Sequence, residues 1–452
     1  MNLHSKPAAR GFSLIELMVA LTIGLLLSIG LVSVFGAVQS TSRSNSELSL
    51  LHDGLRLAML RLSEDIKRTG STFCSNTEEA VLTASGSAAT VTARDLRVYS
   101  KNVVLPDSGG VALSPPVGAG GTPWPTNTAF PVSPRIYMQG YECSPTKCTP
   151  AVPTGGTSPI PPVGIAVGQR VRGTDVLTVR YLRNSGWHVS SCAPLGGGGI
   201  ALTATKTVGD SPITMGPSSQ LALLASCQES ALLPLTGAAV TPGGSVAFAP
   251  SGGNLIGAAS LTCPSLSSSD VRVFDFANDF VTVTYFVALR QKPGAAIGVL
   301  NPVLVRRENG VDLDLVAGIE RLDFLYRVRM LDAVNGTESF SLMSAEQVNA
   351  NSTAAVCDRV PGAFQAIKAD DASGCLWKSV TAVEVHLLGD SIDDDFSIPQ
   401  ASTDYRYSMD SGGALVPGPT NPAAALPTTA LPAGHKYRRE MSSVVSVRNH
   451  TF

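Results

Sequence analysis

The residues with the most informative chemistry lie near the N-terminus, in the run Gly11-Phe12-Ser13-Leu14-Ile15-Glu16. Glu16 is the only acidic side chain in an apolar stretch that continues to Val38. Cleavage after Gly11 would free an amine on Phe12, about one helical turn from that carboxylate. An amine of this kind on a neighbouring copy or relative would neutralise Glu16 inside a packed bundle of helices. The chemistry that these residues could support is therefore charge pairing between Glu16 and an amine freed by such a cut.

The sequence around this run is typical of a segment inserted into a membrane. His4, Lys6 and Arg10 precede it, with no acidic residue among them. The apolar stretch exceeds the roughly 20 residues that cross a bilayer as a helix. Basic residues before such a span keep the N-terminus in the cytoplasm, so we expect a single-pass inner-membrane protein with a periplasmic C-terminal part. A carboxylate in a membrane helix costs about 2.5–3.5 kcal/mol, so Glu16 is expected to have a partner.

The hexapeptide and the apolar stretch resemble the class III signal of type IV prepilins and pseudopilins. In that family a prepilin peptidase cuts after the glycine and methylates the new N-terminus, and the glutamate supports insertion of the subunit into a filament. The resemblance therefore implies cleavage between Gly11 and Phe12, N-methylation of Phe12, and a role for Glu16 in assembly. An ordinary signal peptide would have a shorter apolar core and a small-residue cleavage site, and a plain signal anchor has no reason to keep Glu16.

The chain divides into a leader, a long helix and a head. Residues 1–11 are the leader, residues 12–70 are the helix, and residues 71–452 are a periplasmic or extracellular, disulfide-containing, β-rich head. The helix has a membrane or filament half at 12–38 and an amphipathic half at 39–70, with a stop at Gly70. Unbroken, it would be about 87 Å long. Apolar residues at steps of three and four predict its buried stripe: Leu48, Leu51, Leu55, Ala58, Met59, Leu62 and Ile66.

Three glycines interrupt the membrane half of the helix, at Gly24, Gly30 and Gly36. Each weakens a helix by about 1 kcal/mol relative to alanine. They permit close contact between helices, or else bending and local unwinding. We favour helix contact.

Beyond Gly70, alternating Val, Thr, Tyr and Phe predict half-buried antiparallel strands. The predicted strands are Asp175–Leu182, Phe280–Leu289, Val303–Arg307, Ile319–Met330, Val380–Leu388 and Arg438–Val447. A long helix packed on such a sheet is an α+β, pilin-like architecture. Tracts rich in proline and glycine separate the strands and are expected to form long loops or flexible insertions. The tracts are Pro106–Pro162, Pro194–Gly257 and Val416–Gly434.

All eight cysteines follow the membrane stretch, and none forms a Cys-x-x-Cys motif. An even number in a translocated domain predicts disulfides formed in an oxidising space, with zinc binding as the weaker alternative. Short loops favour the pairs Cys143–Cys148 and Cys357–Cys375. The pairing of the others stays open: Cys74, Cys192, Cys227 and Cys263.

Composition and motifs argue against an enzyme or a nucleic-acid-binding protein. The formal net charge is −2, and no basic stripe suggests direct binding of nucleic acid. We find no nucleophile elbow, phosphate-binding loop or His-Glu-x-x-His helix, and we expect no cofactor and no metal. The one acidic cluster is Asp390 with Asp393, Asp394 and Asp395, which offers oxygen ligands suited to calcium. Solvated surface is the more common role of such a run.

Later segments resemble PilW-type minor pilins. They are Val303 to Tyr326, which contains Leu315-Val316-Ala317-Gly318-Ile319-Glu320, then Tyr437-Arg438-Arg439 with Val444 to Asn449, and Ala225-Ser226-Cys227. The resemblance implies a minor pilin that helps prime a type IV pilus or form its tip, in twitching motility. Its partners would be the prepilin peptidase, other minor pilins, the major pilin and a large tip adhesin. The alternatives are a J-type pseudopilin of type II secretion and an uncleaved, membrane-anchored surface adhesin.

Overall fold

The computed structural model describes one long helix and a β-rich head. The described residues are 13–71, 73, 96–100, 103–105, 112–113, 130–132, 134–144, 147–153, 160–194, 200–205, 221–226, 230–234, 245–248, 271–331, 337–351, 374–393, 405–409, 415–416 and 435–447. The helices are α1 (Leu14–Arg68), α2 (Phe276–Asp279) and α3 (Ala345–Asn351), with 3₁₀ turns at Pro134–Ile136 and Cys375–Ser379.

Among the strands, the longest, at Phe280–Gln291, Ile319–Leu331 and Val380–Asp390, lie in the second half of the chain. The first thirteen are β1 (Leu96–Val98), β2 (Val103–Val104), β3 (Ala112–Leu113), β4 (Phe130–Pro131), β5 (Met138–Cys143), β6 (Cys148–Thr149), β7 (Val176–Leu182), β8 (Trp187–Pro194), β9 (Ile200–Thr205), β10 (Leu221–Ala225), β11 (Ser230–Pro234), β12 (Ser245–Phe248) and β13 (Arg272–Asp275). The others are β14 (Phe280–Gln291), β15 (Leu300–Glu308), β16 (Val311–Ala317), β17 (Ile319–Leu331), β18 (Glu338–Met343), β19 (Val380–Asp390), β20 (Tyr405–Arg406), β21 (Leu415–Val416) and β22 (Arg438–Ser446).

The helix α1 follows the predicted pattern closely. It runs for 55 residues without a break. Its buried residues include most of the predicted stripe, namely Leu51, Leu55, Ala58, Leu62 and Ile66. Beyond its C-cap at Thr69, Gly70 adopts φ +73°, where glycine is favoured, and donates its N–H to the Arg180 carbonyl at 3.0 Å. The chain therefore leaves the helix where the sequence predicts and enters the head by a hydrogen bond to β7.

The head contains three large sheets where the sequence analysis expected one. A six-stranded sheet has the order β16-β15-β14-β7-β5-β6, and a four-stranded sheet has the order β18-β17-β19-β22. The third sheet has the order β12-β9-β8-β13-β10-β11-β1-β4, and in it β1 pairs parallel to β11. All six predicted strands are present in the first two sheets, with ends that differ by up to three residues. The α+β architecture is therefore as expected, but the head is not purely antiparallel.

The prediction that the tracts Pro106–Pro162 and Pro194–Gly257 are loops is wrong for part of each, because they contribute β3 to β6 and β9 to β12. The expectation that the strands are half-buried is wrong for β7 and β14, which are buried on both faces over all or most of their length. The strands β10 and β11 are equally buried, but they consist of Leu and Ala with one Ser and one Pro, and they lack the Val, Thr, Tyr and Phe that made β7 and β14 predictable. The third tract, Val416–Gly434, lies outside the described residues beyond its first position.

The amphipathic half of α1 shares one hydrophobic core with the six-stranded and four-stranded sheets. The helix lies close to β19 because Gly389 has no side chain. A Cβ at this glycine would lie 2.7 Å from Leu51 Cδ1 and 3.1 Å from Leu55 Cδ2. On the same core, Trp377 is fully buried and meets Tyr326 edge to face. The head thus holds the second half of the helix firmly, and the first half extends beyond it.

Candidate assembly helix and its junction with the head

The N-terminus of α1 is closed by a capping box. Ser13 is the N-cap, its Oγ accepts from the Ile15 N–H at 3.4 Å, and Glu16 Oε2 accepts from the Ser13 N–H at 3.0 Å. A carboxylate at this position also interacts favourably with the helix dipole. Glu16 therefore has a local partner, in addition to the intermolecular partner that the sequence analysis expects. Gly11 and Phe12 lie outside the described residues.

The first half of the helix is apolar and uncovered. It gives the one helix in the described part of the chain that is long and apolar enough to cross a membrane, with a mean hydropathy of 2.5 in its best window and none of that window buried. Side chains from Leu14 to Val38 are exposed all around the helix. No atom would lie within 4 Å of a Cβ at Gly24, Gly30 or Gly36. Such a surface needs lipid or other helices to cover it.

A buried carboxylate joins the second half of the helix to the six-stranded sheet. Asp65 accepts hydrogen bonds from Tyr181 Oη on β7 at 2.7 Å and from Tyr285 Oη on β14 at 2.5 Å. Arg306 on β15 donates to the same carboxylate from Nε at 2.7 Å and from Nη2 at 3.3 Å. One side chain of the helix is thus tied to three adjacent strands.

The pKa shifts around Asp65 keep its tyrosine hydrogen-bond donors protonated. Burial first, and then the charge of Asp65, raise the pKa of Tyr181 and Tyr285, so both phenols keep the protons they donate. Arg306 also donates to Glu308 at 2.6 Å. Burial alone would raise the pKa of Glu308, but hydrogen bonds from Arg306 and Arg183 outweigh it and lower the pKa.

We did not predict this network from the sequence, although the position of Asp65 on the helix indicates it. Asp65 lies three residues after Leu62 and seven after Ala58, on the same apolar stripe of the helix. A carboxylate on a buried stripe requires a buried partner. The partners themselves lie far along the chain, and the sequence does not indicate which tyrosines and arginine they are.

A second cluster of buried charged residues lies near the end of β19, where the head meets α1. It connects the segment from Val303 to Tyr326 with the segment that begins at Tyr437, and both of these segments resemble minor pilins. Arg438 donates to Glu320 from Nε at 2.7 Å and from Nη2 at 2.9 Å. Next to this pair, Lys436 donates to Asp390 Oδ2 at 2.5 Å. Gly318 precedes Glu320 with φ +80°, and a Cβ there would lie 2.6 Å from the Asp390 carbonyl oxygen, so this turn requires glycine.

Burial controls the protonation of this cluster. It raises the pKa of Asp390 to about 7, against the opposing charge of Lys436. For Glu320 the burial effect is outweighed by Arg438, and the pKa is lowered. A cavity of about 20 Å³ separates the cluster from α1, with Glu47, Gly54 and Asp390 among its lining residues. It has room for about one water molecule, which is too little for a ligand.

Three cysteines whose side chains the structure describes are oxidised. Cys143 and Cys148 form a disulfide with an S–S distance of 2.09 Å, which is one of the two local pairs favoured by loop length. Cys192 is also in a disulfide. Cys74, Cys227, Cys263 and Cys357 lie outside the described residues. The Cys357–Cys375 pair therefore stays a prediction.

Two of the four residues in the acidic cluster are held by lysines. Asp390 binds Lys436, and Asp393 Oδ1 lies 2.8 Å from Lys292 Nζ. Asp394 and Asp395 lie outside the described residues. Within the described part of the chain, no group of three or more His, Cys, Asp or Glu side chains is arranged to hold a metal ion. Asp390 and Asp393 therefore bind lysine ammonium groups in this structure. Their positions do not support calcium binding.

Comparison with known families places a signal on the N-terminal segment. Residues 6–32 match the family described as prokaryotic N-terminal methylation motif. Comparison with curated proteins and with solved structures found no match. The motif covers Gly11, Phe12, Glu16 and much of the uncovered half of α1. The chain therefore carries a type IV pilin-like methylation signal on a helix suited to membrane anchoring, as expected of a pilin or pseudopilin.

Proposed function

We propose that this protein is a minor pilin of the type IV pilus, processed by prepilin peptidase at Gly11 and methylated at Phe12. It helps prime pilus assembly or form the tip complex, together with other minor pilins, the major pilin and a large tip adhesin. The observation that carries the proposal is a methylation motif that continues into an uncovered apolar helix, whose second half is fixed to a large head. The protein has no enzymatic role, and the chemistry at Gly11 is performed by its peptidase.

The size of the head supports a position at the end of the filament. The head follows a single helix, and its many strands spread over three large sheets. A subunit repeated along a helical shaft packs its helix against copies on all sides, which a bulky head on each copy would crowd. We therefore expect few copies per pilus.

The proposal is tested by deleting the gene and restoring it with wild-type protein or the Glu16→Ala variant. We expect loss of surface pili on deletion, recovery with wild type, and co-purification of the protein with the other minor pilins. A J-type pseudopilin has the same signal and helix, but its deletion would block protein secretion and leave surface pili intact. That second result would overturn the minor-pilin assignment.

A further inference from the structure

The Cys143–Cys148 disulfide has one arginine against both of its sulfur atoms. Arg170 Nη1 lies 3.7 Å from Cys143 Sγ, and Nη2 lies 3.6 Å from Cys148 Sγ. The remaining nitrogen of the group, Nε, donates to the Pro161 carbonyl oxygen at 2.7 Å. The guanidinium is therefore held in one orientation, with its two terminal nitrogens directed at the two sulfurs.

This arginine is buried without a carboxylate. Arg170 is 4% exposed, and among the described residues its side chain has only the Pro161 carbonyl and the two sulfurs as hydrogen-bond partners. Burial lowers the pKa of Arg170 to about 10, which still leaves the group charged near neutral pH. A buried charge normally has an opposite charge beside it, and a neutral disulfide supplies none. Two thiolates in the same positions would.

We propose that Arg170 makes Cys143–Cys148 a site of thiol–disulfide exchange with a dithiol donor, small or protein-borne, by stabilising the thiolates that form when the bond opens. The pair would act as a reducible site in the head, in addition to the role of the protein in the filament. The inference rests on the geometry around Arg170 and does not depend on the proposed function.

The exchange has a defined direction of attack. Cys148 is the half-buried partner and Cys143 the buried one, so a donor thiolate reaches Cys148 Sγ first. That attack forms a mixed disulfide and breaks the Cys143–Cys148 bond, and the electron pair leaves on Cys143 Sγ, beside Arg170 Nη1. The second thiol of the donor then displaces Cys148 as a thiolate beside Nη2. The donor becomes a disulfide, the protein pair becomes a dithiol, and the protons of the donor pass to solvent or to the protein sulfurs.

Other charged groups near the disulfide do not cancel the effect of Arg170. Asp175 Oδ1 accepts the Cys143 N–H at 2.8 Å, but burial, followed by the charges of Asp323 and Glu142, raises the pKa of Asp175. Burial likewise raises the pKa of Glu142. Both shifts reduce the negative charge near the sulfurs. Lys147 is exposed and directly precedes Cys148, and it adds positive charge.

The expected consequence is a low thiol pKa and fast opening of the bond. A neighbouring arginine lowers a thiol pKa from about 8.5 into the range of about 3.5–7.5, and a thiol of lower pKa is a faster leaving group. Without the guanidinium, burial alone would raise the thiol pKa. The contribution of Arg170 can therefore be measured as a difference.

The test uses the full-length chain in detergent, opened with limiting dithiothreitol and alkylated with iodoacetamide over a range of pH. Mass spectrometry of the peptides reads out Cys143 and Cys148 separately from Cys192. We expect half-maximal labelling of the native pair at least about one pH unit below that of the same peptides in urea. The Arg170→Met variant should lose this difference and open roughly threefold more slowly or worse. Arg172→Met, an exposed arginine two residues along, should match wild type.

Two results from the wild-type chain would overturn the proposal, as would one from the Arg170→Met variant. One is native labelling at a pH equal to or above that found in urea. The other is that neither Cys143 nor Cys148 is alkylated in the native protein once the bond is open, because exchange requires that a donor thiol can reach a sulfur. Both are read from the wild-type chain, so the test stands even if Arg170→Met does not fold. If Arg170→Met folds and labels like wild type, the arginine has no part in the exchange.

Discussion

Asp65 on the helix and Arg306 on β15 are 241 residues apart in sequence, and Arg306 Nε donates to Asp65 Oδ2 at 2.7 Å. With Tyr181 and Tyr285 on the same carboxylate, the pair joins the long helix to the centre of the six-stranded sheet. A force applied to the first half of the helix is therefore passed to the head through a charged and fully hydrogen-bonded contact. This is a suitable joint for a subunit whose helix is extracted from a membrane into a filament.

Replacing Asp65 should weaken this joint strongly. In Asp65→Asn, Arg306 loses one of its two carboxylate partners and keeps the other, Glu308. We expect a loss of about 3 kcal/mol in the free energy of unfolding, the lower end of the range for a broken buried pair. The measurement is denaturant unfolding of the full-length chain in detergent, followed by the fluorescence of the buried Trp187 and Trp377.

The matched control is Glu64→Gln, one residue earlier on the exposed side of the helix. Glu64 pairs with Arg61 at 3.1 Å, and both side chains are about half exposed. An exposed pair of this kind contributes little, so the change should stay within about 0.5 kcal/mol. Equal effects of the two substitutions would show that Asp65 does not anchor the helix.

The contrast between Asp65 and Leu62 shows how far the sequence could predict this junction. Leu62 and its stripe follow from helical periodicity, the end of the helix follows from the glycine at position 70, and the longer strands follow from their Val, Thr, Tyr and Phe at alternate positions. The partners of Asp65 depend on the register between distant strands, and no local pattern contains that information. The strands β10 and β11 were missed for a different reason, because their Leu and Ala residues carry no preference for a strand over a helix.

The stability of the head should fall as the pH rises from about 5 to about 7, through Asp390. Its pKa is about 7 in the folded chain and lies above the ordinary value of 3.8, so the folded state binds this proton more tightly than the unfolded state. Stability from this group is thus complete below the unfolded pKa and is lost as the pH rises through the folded one, by at most about 1.4 kcal/mol per pH unit. Asp390→Asn cannot titrate and should lose this part of the pH dependence.

The measurement is the difference in unfolding free energy between wild type and Asp390→Asn at several pH values from 5 to 8. Asp393→Asn is the control, because Asp393 lies at the surface and its hydrogen bond to Lys292 lowers its pKa, away from this range. Its difference from wild type should be flat. A flat difference for Asp390→Asn as well would show that Asp390 does not hold the proton.

Two substitutions separate the possible roles of Glu16. Glutamine at the third helical position can still accept the Ser13 N–H of the capping box, but it carries no charge. If the charge pairs with an amine of another subunit, Glu16→Gln should be inserted and cleaved normally and yet assemble as poorly as Glu16→Ala. Surface pilus counts and co-purification with the other minor pilins measure this. Wild-type assembly of Glu16→Gln would reduce the role of Glu16 to the cap, and wild-type assembly of Glu16→Ala would leave it without a role.

The central claim is that this chain is a processed pilin-like subunit, and the intact mass of the protein purified from membranes tests it most directly. We expect a chain that begins at Phe12 and carries one N-methyl group. Gly11→Leu should leave the full precursor in the membrane, whereas Ala8→Leu, the same kind of change within the leader, should still be cut. Two results would show that the chain is not processed as a pilin. One is a functional protein that retains Met1, and the other is a functional protein cut near Ala37, where a secretory signal would be cleaved.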